Sequence, residues 1–236
     1  VSLMVSKYAI DLVAKEICGE IVWSDSPGQS LRKWREIFKV TQTEISHVIG
    51  VAPSVISDYE KGRRIPGSRF VRKYVEGLLY IDSTRGWSVV REIARNLRIP
   101  MTSVIDIREL PRGVPLRVFV EVLKGEVLWG SDYLDKILYG YTVLDSIESI
   151  LSMSGAEFSA IMGLTTERAL IFTKVGTGRS PMVAVRVTSQ KPGAVILHGP
   201  RVVDPLAIKL AELDRVPLIV SRVESEDLLV ENLRKL

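Results

Sequence analysis

The sequence predicts an α+β multidomain chain, in which an all-α front of helix-turn-helix type precedes an α/β domain with a partly parallel sheet. Three observations lead there. Between Thr41 and Pro66, two short segments with apolar stripes flank a tight turn built on Gly50 and Pro53. From about residue 125, short β-branched runs alternate with amphipathic segments, as strand–helix–strand units do. Charge divides in the same way: residues 1–82 hold 12 Lys+Arg against 10 Asp+Glu, residues 83–124 hold 8 against 4, and residues 125–236 hold 12 against 14. The positive excess lies in the front, as expected where a nucleic-acid module precedes a unit that leaves nucleic acid alone. At 236 residues the chain accommodates two domains. The boundaries read as a helix-turn-helix domain over 1–82, a helical connector over 83–124 and an α/β regulatory or dimerisation domain over 125–236.

Taken in order, residues 4–22 form an amphipathic helix with Val5, Ala9, Leu12, Val13, Ile17 and Ile21 on one side. Such a helix either pads the domain behind it or supplies a dimer contact. Ser24-Asp25-Ser26-Pro27-Gly28 breaks it, and residues 30–38 make the next helix with Leu31, Trp34, Ile37 and Phe38 inward. Thr41 then caps a helix whose Glu44 completes a capping box, with Ile45, Val48 and Ile49 on one face. Gly50 ends it where a left-handed residue is cheapest. Pro53 suits the first turn of the following helix, whose Val55, Ile56 and Tyr59 pack back on the first. Two short helices about such a turn are what a major-groove DNA reader requires.

The run LRKWREIFKVTQTEISHVIGVAPSVISDYEKGRRIP resembles the Cro/repressor (XRE-type) helix-turn-helix family at Leu31, Arg32, Arg35, Glu36, Thr41, Gln42, Gly50, Val51, Pro53, Ser54, Ile56, Ser57, Tyr59, Glu60, Gly62 and Pro66. The resemblance implies a four- or five-helix domain whose second motif helix, Pro53 to Glu60, enters the major groove of double-stranded DNA. It also implies that Gln42 clamps a phosphate and supports that helix. Ala52 departs from the family, which usually places a Ser or Thr cap there, so the reading helix starts less firmly held. On the outward N-terminal face Pro53, Ser54, Ser57 and Asp58 are the candidate contacts. Serine donates to phosphate or base; Asp58 either accepts from cytosine or is repelled by phosphate. KGRRIPGSRFVRK, residues 61–73, holds six basic residues and no acid, and places Lys61, Arg63 and Arg64 directly behind the reading helix for phosphate contact.

Its helix continues to Leu79 on Phe70, Val71, Tyr74, Val75, Leu78 and Leu79, and another spans 83–98 with Arg91, Arg95 and Arg98 on the outer face, toward solvent or an interface. Pro100, Pro111, Gly113 and Pro115 mark a hinge, followed by a short helix carrying Leu116, Phe119, Val120 and Leu123. Beyond residue 125 the expected strands are Val127–Trp129, Ala169–Thr173, Met182–Val187, Ala194–Leu197 and Pro217–Val220. The expected helices are Val143–Met153, a short one between Gly155 and Gly163, Asp204–Leu213 and Ser225–Leu236. A strand, helix and strand this short implies parallel pairing through a right-handed crossover. The tail KPGAVILHGPRVVDPLAIKLAELDRVPLIVSR resembles the DRTGG-type regulatory domain in this alternation, and the whole chain loosely resembles archaeal regulators that couple such a reader to an α/β domain.

VGTGRSP, Val175 to Pro181, reads as an anion loop in which Thr177, Gly178, Arg179 and Ser180 offer donors, or as a hairpin turn between strands. Pro181 excludes a dinucleotide fingerprint, and no Gly-Lys-Ser/Thr follows for a phosphate-binding loop of the nucleotidase kind. His198 stands at the carboxyl end of a strand, where open α/β sheets collect ligands, or is structural. With two histidines and the lone Cys18 there is no metal-ligand spacing and no internal disulfide, which agrees with a reducing cytoplasm. Signal-peptide, membrane-span and nucleophile-elbow patterns are absent from the sequence. The expected protein is therefore a cytoplasmic, cofactor-free and non-enzymatic DNA-binding regulator. It is expected to be a homodimer that senses a small anionic metabolite. An enzyme of phosphate or acyl chemistry carrying a DNA module, and a general transcription coactivator, are the alternatives.

Overall fold

The apolar stripes of the front half close on one another. A computed structural model describes residues 5–100, 102–161 and 165–236, and the chain divides into two units, Val1–Met101 and Thr102–Leu236. Among the described residues the first unit holds six helices: α1 Lys7–Trp23, α2 Pro27–Ile37, α3 Gln42–Ile49, α4 Pro53–Glu60, α5 Ser68–Thr84 and α6 Ser88–Asn96. The Ser6 side chain caps α1 by accepting from the Ala9 N–H, so the helix starts later than the residue 4 given by periodicity, which lies outside the described residues. Ala9, Val13, Ile17 and Ile21 of α1 are fully buried, as are Leu31, Ile45, Ile56, Tyr74 and Leu78. Two glycines set the helix spacing. A Cβ on Gly77 would lie 2.6 Å from Ile49 Cγ2, and one on Gly28 only 2.0 Å from the Tyr59 carbonyl oxygen.

The helix read as the start of a connector belongs to this first unit, for a definite reason. Asp82, buried near the end of α5, accepts from Ser88 Oγ and from the backbone N–H groups of Val89 and Val90. It thereby caps α6 from outside, replacing the cap that Trp87, left-handed at φ 62°, cannot give. The rest of the expected connector belongs to the second unit, where β1 occupies Val104–Pro115. Prolines and Gly113 suggested a hinge, but β1 is an edge strand whose register shifts between Glu109 and Val114, and edges tolerate such residues.

The second unit continues with α7 Leu116–Val122, β2 Gly125–Trp129, β3 Ile137–Asp145, α8 Ser146–Ser152, α9 Gly155–Ala160, β4 Ala169–Thr173, α10 Arg179–Val187, β5 Ala194–His198, α11 Pro205–Asp214, β6 Leu218–Ser221 and α12 Glu226–Leu233. The sheet order is β1-β3-β4-β5-β6-β2. The four central strands run parallel, and β1 and β2 pair antiparallel at the edges. Tyr141, Val143, Ala169, Ile171, Ala194, Ile196 and Ile219 face a core shared with Phe119, Leu123, Leu229, Val230 and Leu233. The alternate residues, such as Leu144, Leu170, Phe172, Val195, Leu197 and Val220, are buried on the opposite face. A sheet covered on both sides explains why its strands read as continuous apolar runs.

Two expected elements change type. Met182–Val187 is not a strand but the body of α10, with Met182 and Val185 buried one turn apart and Val183 and Val187 exposed. A six-residue run with valine at every second position reads as a strand, yet runs this short do not separate strand from helix by pattern alone. Conversely, Val143–Asp145 belongs to β3, and the helix expected there starts only at Ser146, where Asp145 caps it by accepting from the N–H groups of Ile147 and Glu148. The helix expected between Gly155 and Gly163 is α9; Gly163 itself lies outside the described residues.

Candidate nucleic-acid interface

The turn between α3 and α4 is built from local chemistry. Thr41 and Glu44 close a reciprocal box: the Glu44 N–H donates to Thr41 Oγ1 at 3.1 Å and the Thr41 N–H to Glu44 Oε2 at 2.7 Å. Gly50 is left-handed at φ 65° and Pro53 opens α4, while Ala52 gives no side-chain cap. Ile56 and Glu60 turn inward; Pro53 and Ser54 are exposed, and Ser57 and Asp58 half-buried. The N-terminal face of α4 is therefore free for an external contact. Lys61, Arg63 and Arg64 follow it, all exposed.

What fixes α4 in place was not legible as such. Glu60, at the end of α4, accepts from Arg35 Nε at 2.6 Å and Nη2 at 2.9 Å, from Gln42 Nε2 at 2.8 Å, and faces the Tyr74 hydroxyl at 3.3 Å. One carboxylate thus ties together α2, α3, α4 and α5. Burial disfavours its charge, but hydrogen bonds from Arg35 and Gln42 and the Arg35 charge outweigh that and hold its pKa below the usual value. The same environment raises the Tyr74 hydroxyl, chiefly through burial and then through the Glu60 charge. Through this bond the Gln42 amide supports α4 from within. Asp58 and Arg63 pair with each other at 3.1 Å, so the carboxylate lies beside the cation rather than standing alone on the groove face. Tyr59 stacks on Phe70 with centroids 4.1 Å apart, a packing role.

Residues 31–78 match the helix-turn-helix family HTH_3. The chain is 46% identical over 225 residues to an uncharacterized HTH-type transcriptional regulator of Archaeoglobus fulgidus, spanning 94% of this chain and 96% of that one. A second such protein, from Methanocaldococcus jannaschii, is 44% identical over 225 residues and spans 93% of each chain. The chain belongs to this family of HTH-type transcriptional regulators. A crystal structure of the CBS and DRTGG domains of the regulatory region of Clostridium perfringens pyrophosphatase, complexed with its activator diadenosine tetraphosphate, aligns at a TM-score of 0.36 and 16% identity. It covers 50% of this chain and 47% of that one, a likeness too loose to argue from.

In this HTH-type regulator the second group of candidate residues lies at the carboxyl edge of the parallel strands. Lys174 to Gly178 connect β4 to α10, so VGTGRSP is a strand-to-helix loop and not a hairpin turn. Gly178, left-handed at φ 82°, stands at the N-cap; Arg179 and Ser180 are exposed in the first turn. The loop is pinned: the Val175 N–H donates to the His198 carbonyl at 3.1 Å, and the Asp204 N–H to the Thr177 carbonyl at 2.8 Å. Its cations are already partnered, Arg179 Nε with Asp204 Oδ2 at 2.8 Å and Lys174 with Asp145. Burial works against the Asp145 charge, yet the Lys174 ammonium and two backbone donors keep its pKa lowered. The His198 imidazole donates through Nε2 to the Val223 carbonyl at 2.9 Å. By strand alternation it shares the face of Ala194 and Ile196, whereas Gly178 abuts Leu197 on the other. The backbones of the two candidates adjoin, but the imidazole and α10 lie on opposite faces of the sheet. Among the described residues, no group of three or more His, Cys, Asp or Glu is placed to hold a metal, and no helix is long and apolar enough to cross a membrane.

Proposed function

We propose that this regulator reads double-stranded DNA by sequence with α4 in the major groove, working in the cytoplasm as a symmetric dimer. In this reading the α/β unit provides the dimer contact or a small-molecule sensor. The observation that carries the proposal is the free N-terminal face of α4, followed by an exposed basic turn and held from behind by the buried Glu60 cluster. Ser54 and Ser57 supply base contacts, and Lys61, Arg63 and Arg64 supply phosphate contacts, with Gln42 supporting the helix. Pro53 brings the backbone close to the groove wall, and Asp58 steers Arg63. Thr177 to Ser180 and His198 support the sensor reading less, since the nearby cations are already paired within the protein.

Salt titration of DNA binding tests this. Lys61→Ala and Arg64→Ala are each expected to weaken binding on every sequence and to reduce the slope of log K against log salt by about one. Arg63→Ala is expected to change it less, because Asp58 already takes up part of that charge. Slopes unchanged in all three variants would remove the turn from the interface. A chain that sediments as a monomer with and without DNA would remove the dimer.

A further inference from the structure

On the face of the sheet opposite the α12 core, α8, α9 and α10 line an open cavity of about 350 Å³. That size falls within the range of small-molecule pockets, roughly 300–1,000 Å³. Its floor is formed by Phe158 and Phe172, whose rings lie nearly parallel, 17° apart with centroids at 6.3 Å. Met153, Pro181 and Ala184 make apolar walls, and Ser146, Ser154, Ser159 and Ser180 complete much of the lining. No lining residue among those described is charged. Ser149, 8% exposed, also belongs to the lining.

From these features we infer that the cavity is a binding site for a small uncharged molecule with a flat apolar body. An anion would lose part of its water here and find no counter-charge among the described lining residues, which is costly. A flat ring fits against the paired phenylalanines. The mouth is flanked by Ile150, 65% exposed, and Val187, 77% exposed, so a bound ring would also cover apolar surface that water now wets. This site shares Ser180 and Pro181 with the strand-end loop but runs along α10 and differs in ligand class. The binding it describes stands whether or not the reader binds DNA.

Ligand-observed NMR on the full chain, with benzamide and indole against benzoate and phenyl phosphate as matched probes, tests the inference. The neutral probes are expected to bind at least about tenfold tighter than the anions, the difference arising from the uncompensated burial of charge. Ala184→Phe fills the cavity and is expected to abolish binding with the circular dichroism spectrum unchanged. The inference is overturned if anions bind as well as the neutral probes, or if Ala184→Phe leaves binding intact. It is equally overturned if no neutral probe binds at millimolar concentration, including the case where the exposed patch on α8 and α10 instead seats a second copy of the chain.

Discussion

Replacing Glu60 by alanine is expected to destabilise the helical unit by about 3–5 kcal/mol, the range for breaking a buried ion pair from one side. The substitution leaves Arg35, only 11% exposed in its side chain, without its two charge-assisted bonds and strips Gln42 of its partner, while the Tyr74 hydroxyl keeps the Leu31 carbonyl. By contrast, Asp58→Ala breaks an exposed pair and is expected to cost under about 1 kcal/mol. Urea unfolding followed by far-ultraviolet circular dichroism distinguishes them. Acid acts on the same carboxylate. Its folded pKa lies below the ordinary 4.5, so its contribution is complete above that value and is lost as pH falls from there through the folded pKa. Glu60→Gln is expected to flatten the fall in stability below pH 4.5. Equal urea midpoints for wild type and Glu60→Ala would show that the carboxylate does not hold the reader together.

Arg168→Leu is expected to cost the α/β unit about 3 kcal/mol, the lower end for a buried pair because Glu109 remains one-third exposed and can hydrate. The guanidinium itself is fully buried. It pairs with Glu109 of β1, donates to Thr142 Oγ1 at 2.9 Å and to the Tyr141 carbonyl at 3.3 Å on β3, and to the Thr165 carbonyl at 3.0 Å. One side chain thereby fastens the edge strand to the parallel core. Arg168→Lys keeps the charge without the planar fork, so its stability should fall between the two. If Arg168→Leu melts with wild type, β1 is held by its backbone ladder alone.

These two residues show where the sequence stops being readable. The Thr41 box, Gly50 and Pro53 act within three or four residues of themselves, so their roles follow from local spacing. Ala169–Thr173 and Ala194–Leu197 were recognisable because strands buried on both faces are apolar throughout. Glu60 meets Arg35 across 25 residues and Arg168 meets Glu109 across 59, and no local pattern announces either partner. The same limit explains why the bond from Gln42 to Glu60 and the pairing of Asp58 with Arg63 were not legible. β1 escaped because Pro111 and Gly113 look like a hinge unless the strand is known to lie at an edge. The cavity beneath α10 was hidden for another reason: a run of valines that reads as a strand is, in three dimensions, one wall of a pocket.

The central claim, that α4 reads base sequence, is tested most directly by selecting from a randomised duplex library with wild type, Ser54→Ala and Ser57→Ala. Wild type is expected to enrich a two-fold motif with half-sites about one helical turn apart. Each variant is expected to lose its preference at one position per half-site, by about 1–3 kcal/mol, and to keep the rest. No enriched motif, or the wild-type motif selected unchanged by both variants, would contradict it.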